Sequence, residues 1–405
     1  MRHVRFRLRQ MATNAAKTIA RSTPQHVARP VIVCHFTTSH TDLKSRSFHR
    51  EFMPLAAGAF GVRYVAPIKA SGRRQGVDLV AMPSHAGVIR RTLALPALLV
   101  QLLKQRAALY HFQDPQLLPL AFALKLLFRR RVVYDAYEDF PSIAANKRSI
   151  PRSLRPFASR FVAGLENLAA RCFDGVMTAD PFTLRRLARR GKSRKLVFYN
   201  FPNLDVFPPP RPRLKSFDVV YRGGLSERAG TLLLLEAMCL LAARRNPATL
   251  LLIGYFDSAA AEDAVRERIR TLGLESSVEI RGRLDHEGMG AALGEARIGV
   301  CPLQRVPKFL LNIPVKVFEY WACGLPVVAS DLPPIRPFFR DQNAGLLVPP
   351  ESAVELARSI GWLLDNPREA NRMGARGRNL IVQRFNNGGE VHKLRRFCAQ
   401  IALGQ

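Results

Sequence analysis

Residues 312–335 read NIPVKVFEYWACGLPVVASDLPPI, and the reading of this stretch decides the fold. Its first half has helical spacing, with Val315, Phe318 and Trp321/Ala322 three to four apart and Pro314 at a helix start. Its second half, Val327-Val328-Ala329, is a short β-branched run held between Gly324 and Pro326 on one side and Asp331 on the other. A helix passed through a tight turn to an apolar strand is part of a parallel-sheet α/β unit. Lys316 and Glu319 stand three apart, on one face of that helix. As a surface ion pair they would contribute roughly a few tenths of a kcal/mol. The apolar frame around them (Asn312, Pro314, Phe318 and ACGLPVVASD) favours a ligand site instead.

Outward from this stretch the same alternation recurs. Upstream lie the strands FDVVYRGG (217–224), ATLLLIG (248–254), SVEIRG (277–282) and IGVCPL (298–303), with helices TLLLLEAMCLLAARR and AAEDAVRERIRTLG between them. A terminal helical region follows from 351 on. Before this series, FPNLDVFPPPRPRLKS (201–216) is rich in proline and poor in strand signals, which predicts a stiff linker. Earlier still, PVIVCHF (30–36), VRYVAP (62–67), LYHFQ (109–113), RVVYDAYED (131–139), GVMTAD (175–180) and KLVFYNFP (195–202) repeat the pattern, with a helix expected around 48–58. The predicted fold class is α/β: two Rossmann-like domains facing across a cleft. The expected domains are a basic arm at 1–29, a first domain at 30–200, the linker at 201–216 and a second domain at 217–385. A helix over 386–405 is expected to pack back on the first domain. In open parallel sheets ligands bind outside the carboxyl ends of the strands, so the loops there are the places for chemistry.

At 405 residues the chain is long enough for two cores, and its 48% hydrophobic content excludes a disordered protein. The six cysteines are scattered without CxxC or His/Cys clustering, which predicts reduced, buried thiols in a cytosolic protein and no structural zinc. The net charge of +31 is unevenly spread: residues 1–200 hold 35 Lys+Arg against 10 Asp+Glu, and residues 201–405 hold 27 against 21. Arginine-rich codon usage would raise the total but would not place the excess in one half. A basic first domain predicts an anionic partner such as phospholipid head groups, pyrophosphate-linked lipids or nucleic acid. The apolar runs 92–103 and 117–128 are shorter than the ~18 residues a spanning helix needs. The first of them reads as a core helix or an interfacial one. The acid-free opening MRHVRFRLRQMATNAAKTIARS has no apolar secretory core; it reads as a disordered basic arm, with organelle targeting as the alternative.

YRGGLSERAG (221–230) places Gly223 and Gly224 directly after a strand and before a helix. Glycines there either serve close packing or let backbone N–H groups approach a phosphate, with Arg228 adding charge. Glu138 and Asp139, at a strand end, would either contact hydroxyls of a substrate or cap the following helix.

NIPVKVFEYWACGLPVVASD closely resembles the donor-binding segment of GT-B, family 4-like retaining glycosyltransferases (glycosyl transferases group 1). There a helix P-x-K-x-F-E-Y-x-A-x-G-x-P-V-[IV]-A-S carries a Glu that binds the nucleotide ribose, and Glu319 matches it. YRGGLSERAG resembles the family's glycine turn for the diphosphate, and VEIRGRLDHEGM with LGEARIGVCPL resembles the part that cradles the base. In the first half, YHFQDPQLLP … VVYDAYEDFPS resembles the acceptor pattern H-x-H-D-P-E-L-L-P … Y-D-x-H-E-D, and HTDLKSRSFHRE the loop after the first strand, keeping Arg46 and Glu51. The resemblance spans about residues 30–385. It departs at Leu311, where many members carry a sugar-contacting Glu, at Gly224, where a basic residue is usual, and at Gln113 and Tyr137, where the family has His.

The resemblance implies a metal-independent, retaining hexosyltransferase-type enzyme moving a sugar from a nucleotide-sugar to a glycan or lipid-linked acceptor of envelope polysaccharide assembly. It implies catalytic roles for Arg228 and Lys316, and donor contacts from Gly223, Gly224, Gly254, Arg281, Asn312 and Glu319. Acceptor-side residues would be Arg46, His111, Asp114, Glu138 and Asp139. No cofactor and no metal are expected. The expected setting is cytoplasmic, peripheral on the inner face of an anionic membrane. A non-hydrolysing sugar-nucleotide epimerase or an inactive GT-B scaffold would share the nucleotide site. A nucleic-acid binder is a distant alternative, since no helix-turn-helix, zinc finger or aromatic-interleaved basic strip occurs.

Overall fold

A computed structural model describes residues 30–404 apart from 40–42, 44–46, 86, 148–149, 189–190, 208–214 and 245. The basic arm, Arg46 and the three prolines 208–210 lie outside the described residues.

Two sheets carry the chain. The first contains β1 (Val31–Phe36), β2 (Phe60–Ala66), β3 (Gly72–Arg74), β4 (Val77–Ala81), β5 (Leu109–Phe112), β6 (Val132–Ala136), β7 (Gly175–Thr178) and β8 (Arg194–Val197), in the spatial order β3-β4-β2-β1-β5-β6-β7-β8. The second contains β9 (Phe217–Leu225), β10 (Leu250–Phe256), β11 (Val278–Arg281), β12 (Ala296–Cys301), β13 (Val327–Ser330) and β14 (Gly345–Val348), in the order β11-β10-β9-β12-β13-β14. Every neighbouring pair is parallel except β3 with β4. Parallel strands covered by helices on both faces must be apolar on both sides, which is why β5, β6 and β7 are buried at every residue. Strand order reverses at β1 in the first sheet and at β9 in the second, and the crevice at such a reversal is where open sheets bind ligands.

The expected strand series stands, with two additions. β3 and β4 form a hairpin over SGRRQGVDLV, turning at Gln75 and Gly76, both with positive φ (49° and 82°). All three β3 residues are exposed, so no hydrophobic alternation marked the strand. β14 is an edge strand of four residues, too short for a periodic signal. The segment around 48–58 begins as a π-helical turn, Phe48–Phe52, before the short helix Met53–Ala56. After the second sheet, the helix Asn387–Leu403 lies on the first domain: Leu394, Phe397, Cys398 and Ile401 share a core cluster with Val33 and Met177. Gly175 allows that approach, because a Cβ there would meet Ile401 Cδ1 at 2.5 Å.

Candidate active site

The helix Val315–Ala322 runs from the cleft into the second core, burying Val317, Phe318, Tyr320 and Trp321. Its fixed seat comes from three bonds. Trp321 Nε1 donates to the Ala344 carbonyl (2.9 Å), the Arg222 N–H donates to the Tyr320 hydroxyl (2.8 Å), and that hydroxyl donates to the Val300 carbonyl (3.1 Å). Glu319 is therefore held at the reversal point of the sheet with 1% of its side chain exposed. Its two oxygens meet two guanidinium groups: Arg222 Nη1 lies 3.2 Å from Oε2, and Arg50 Nη2 lies 3.4 Å from Oε1. Arg50 belongs to the first domain and also donates to the Asn200 carbonyl at 2.6 Å. One carboxylate thus joins the two domains across the cleft.

Lys316, one turn earlier, donates to the Tyr221 hydroxyl (2.9 Å) with its ammonium 4.1 Å from the ring centre. The same hydroxyl donates to the Gly224 carbonyl (2.9 Å), so the lysine is tied to the Gly223–Gly224 turn. Gly223 has φ of +146°, and a Cβ there would come within 2.9 Å of Lys316 Nζ. The helix Thr231–Ala242 follows, presenting its positive dipole end to the same edge. Arg50, Arg222 and Lys316 together outnumber Glu319 by three charges to one. A place with surplus positive charge, a glycine turn and a helix start suits a diphosphate.

The other expected donor residues divide. Asn312 lines the cleft cavity, whereas Gly254 sits opposite Gly223 in the β9–β10 register and acts through that backbone. Arg228 is largely exposed and paired with Asp257 (2.6 Å), so its charge is already engaged away from Glu319. Arg281 is not brought to the cleft. It bonds Glu279 (2.8 Å) and Glu295 (3.0 Å) and leans over Phe217 at the amino end of β9, the opposite edge of the sheet. Those two carboxylates, Glu295 first, hold its guanidinium above the usual pKa.

On the first-domain side, a cavity of about 210 Å³ is lined by Tyr137, Glu138, Asp180 and Asn200 facing Asn312 and Phe318. Glu138 lines it, and its neighbour Asp139 is turned to Ser142 and Arg186. Arg186 also pairs with the fully buried Glu166 at 2.7 Å, which the Tyr134 hydroxyl bonds from β6. Asp114 accepts from Thr37 Oγ1 (2.8 Å) and the Thr38 N–H (3.3 Å), bracing the loop after β1. His111 is buried on β5, its Nδ1 3.0 Å from His35 Nδ1, so one ring carries the hydrogen and the other accepts it. Gln113, standing where the family has His, donates to Asp135 (2.6 Å) and Glu51 (3.5 Å). Among the described residues, Glu51, His111 and Asp135 form a trio whose ligand-type atoms lie within 4.8 Å of one another, the geometry an ion could use. The Gln113 amide supplies hydrogen-bond donors to both carboxylates of that trio.

Asp180 holds the start of the helix Pro181–Ala188, accepting from the Thr183 N–H (2.7 Å) and hydroxyl (2.8 Å). Burial pushes its carboxyl pKa up, against those hydrogen bonds, which pull it down. A raised carboxyl favours folding when protonated. Its contribution is full below the ordinary value of 3.8 and is lost as pH rises through the higher folded value. Asp180→Asn, which keeps an acceptor for Thr183, is expected to flatten the fall of Tm across that window, as melting curves over a pH series will show.

Sequence reading missed Arg50 and Arg222 as partners of Glu319. Both lie inside stretches that carry the family resemblance, HTDLKSRSFHRE and YRGGLSERAG, but nothing local marks a contact with a residue as distant in the chain as Glu319, 269 positions from Arg50.

Residues 216–366 match the family described as glycosyl transferases group 1. A curated relative, the MMP alpha-(1->4)-mannosyltransferase of Mycolicibacterium hassiacum, is 27% identical over 184 residues, 45% of this chain and 42% of its own. The chain spans less than half the length of the curated relatives it matches. Over the whole fold, sucrose-phosphate synthase of Thermosynechococcus elongatus superposes with TM-score 0.72 at 18% identity, covering 92% of this chain and all of that one. HepE of Anabaena, solved in complex with UDP, gives 0.69 at 15% identity over 91% and 99%. At such identities these two structures speak for the fold.

Proposed function

We propose, for a GT-B chain whose second domain belongs to the glycosyl transferases group 1 family, that it transfers a hexosyl group from a nucleotide-sugar to a glycan or lipid-linked acceptor. The observation that carries this reading is the group at the end of β9: Glu319 between Arg222 and Arg50, with Lys316 tied through Tyr221 to the glycine turn. Glu319 would accept the ribose hydroxyls, and Lys316 and Arg222 would hold the diphosphate. Negative charge grows on that leaving group as the glycosidic bond breaks, so preorganised cations at this place lower the barrier. Arg228, exposed at the same turn and paired with Asp257 as Arg222 is with Glu319, is a further candidate for that task. The sugar would point into the cavity between Asn312 and Glu138, where closure of the two domains excludes water. Retention of configuration, metal independence and a peripheral site on the cytoplasmic face of an anionic membrane complete the proposal.

The test is thermal stabilisation by a panel of UDP-, GDP-, ADP- and dTDP-sugars, followed by nucleotide release with and without EDTA. A ligand at a hundred times its dissociation constant adds about 2.7 kcal/mol of stability. Stabilisation by one nucleotide class and EDTA-resistant release are the expected results. Stabilisation by none of them would overturn the donor assignment, and release abolished by EDTA would overturn metal independence. Interconversion of the sugar nucleotide without transfer would favour the epimerase.

A further inference from the structure

We propose that the outer surface of the helices Leu95–Lys104, Leu118–Leu126 and Arg155–Cys172 is a docking face for an anionic lipid bilayer, with Phe157 and Phe161 entering the acyl boundary. The inference takes its purpose from the membrane-borne acceptor proposed above and its chemistry from this surface alone.

The three helices bury their inner faces in one core, through Leu98 and Leu102, Leu120 and Leu124, and Ala169 and Ala170. Their outer faces are apolar as well. On Arg155–Cys172 the residues Phe157, Phe161 and Leu168 recur at helical spacing, the two rings 66% and 67% exposed. Leu154 extends the stripe at one end. At the other, Phe122 packs on Phe173 (4.8 Å between ring centres) and Lys125 bonds Asp174 (2.7 Å), which brings Leu126, Leu127 and Phe128 alongside. An apolar stripe of this extent on a surface marks an interaction site.

The charge around it names the partner. Residues 79–174 contain 14 Lys+Arg and six Asp+Glu. Asp114, Asp135 and Glu166 are buried, and Glu138, Asp139 and the Lys125-paired Asp174 are half-buried, so no acidic side chain in this segment is fully exposed. The cations Arg129, Arg130, Arg152 and Arg160 are exposed beside the stripe, and Arg171 continues it. Exposed aromatic rings flanked by arginines, without a fully exposed acid, match the boundary of an anionic bilayer, where apolar burial and attraction to head groups act together. A protein partner of ordinary mixed charge would not require such one-sidedness. The helix Leu95–Lys104, within the run 92–103 that sequence left between core and interface, does both: Leu98 and Leu102 face inward while Val100 faces out. The face also adjoins the cleft. The helix Phe140–Asn146, which follows the cleft residue Glu138, packs on Arg155–Cys172 and shows Ile143 to the outside.

The experiment is co-sedimentation of the full chain with phosphatidylcholine vesicles with and without phosphatidylglycerol, over a salt series. Phe157→Ser/Phe161→Ser is run beside the wild type, and duplex DNA serves as a competing polyanion. The wild type is expected to bind only vesicles containing phosphatidylglycerol, less as salt rises. The double variant should bind them about 100-fold more weakly, since two large apolar side chains no longer leave water. Its stabilisation by donor should equal that of wild type, which shows that it is folded. A wild type that ignores phosphatidylglycerol vesicles overturns the membrane partner itself. A wild type and double variant that bind equally overturn this face while leaving peripheral attachment standing. Loss of self-association in the variant, read by light scattering with no change in vesicle binding, would assign the stripe to a second copy. Preferential capture by DNA would assign the charge to nucleic acid.

Discussion

Glu319→Ala is expected to abolish stabilisation by the donor and to lower the protein's own stability by about 3 kcal/mol, the cost of breaking a buried ion pair by removing one member. Two effects come from one carboxylate. In the free protein it neutralises Arg222 within the second domain and Arg50 across the cleft, and Arg50 is itself buried. Removing it takes a carboxylate from both cations, while Arg50 keeps its bond to the Asn200 carbonyl. In the bound protein the same oxygens would accept ribose hydroxyls, and hydrogen bonds to a charged group contribute about 1.5–3 kcal/mol each. A loss of about 100-fold in affinity follows from that range. Glu319→Gln separates the two effects, because the amide keeps the shape and one acceptor while losing the charge. Denaturant melts read the first effect and titration calorimetry with the nucleotide-sugar the second. Unchanged donor affinity in Glu319→Ala would remove the ribose from this site. Unchanged stability would mean that the bridge to Arg50 and Arg222 contributes nothing to the free protein.

Gly254→Ala is the second large effect. In β10 this residue stands opposite Gly223 of β9, and a Cβ would lie 1.7 Å from the Gly223 carbonyl oxygen and 3.4 Å from its nitrogen. The obstacle is backbone, not the movable end of a side chain, so β9 must shift and carry its glycine turn with it. Overpacking of this kind costs about 3 kcal/mol or more. Donor binding should fall although Glu319 and Lys316 are untouched. Gly224→Ala is the control. There a Cβ meets only Asp257 Oδ1, at 3.6 Å, an ordinary contact, and a surface change without steric conflict moves stability by less than about 0.5 kcal/mol. Chemical denaturation of the two variants side by side checks the difference. Equal stability of both would show that the Gly223–Gly254 approach is not what fixes the turn.

These two variants mark where local reading was sufficient and where it stopped. Gly223, Gly224 and Gly254 look alike in sequence: each follows or ends an apolar run. Only the pairing of β9 with β10 shows that one has backbone against it and another has space. Arg228 and Arg222 both lie in YRGGLSERAG, and the resemblance puts Arg228 in the basic place. Asp257, at the end of the neighbouring strand, engages Arg228 and leaves Arg222 to face Glu319. Arg281 at a strand end looked like a contact for the base, yet Glu295 and Glu279 draw it to the other edge. The β3–β4 hairpin has no signal in the sequence because β3 has no buried face to alternate against.

Alone, the sequence determined the class of the fold and the helix that carries Lys316 and Glu319. Those properties are written in local periodicity: continuous apolar runs for buried parallel strands, helical spacing between them, and glycine or proline where the chain turns. Its uneven charge placed most of the excess of Lys and Arg in the first half. Tertiary structure alone decided which cations meet Glu319, which glycines are crowded, and that Phe157 and Phe161 face outward while Leu98 and Leu102 face in. Local periodicity reports which side chains share a face of one element. It is silent about what lies opposite that face, and ion pairs, steric limits and exposed stripes are all set by what lies opposite.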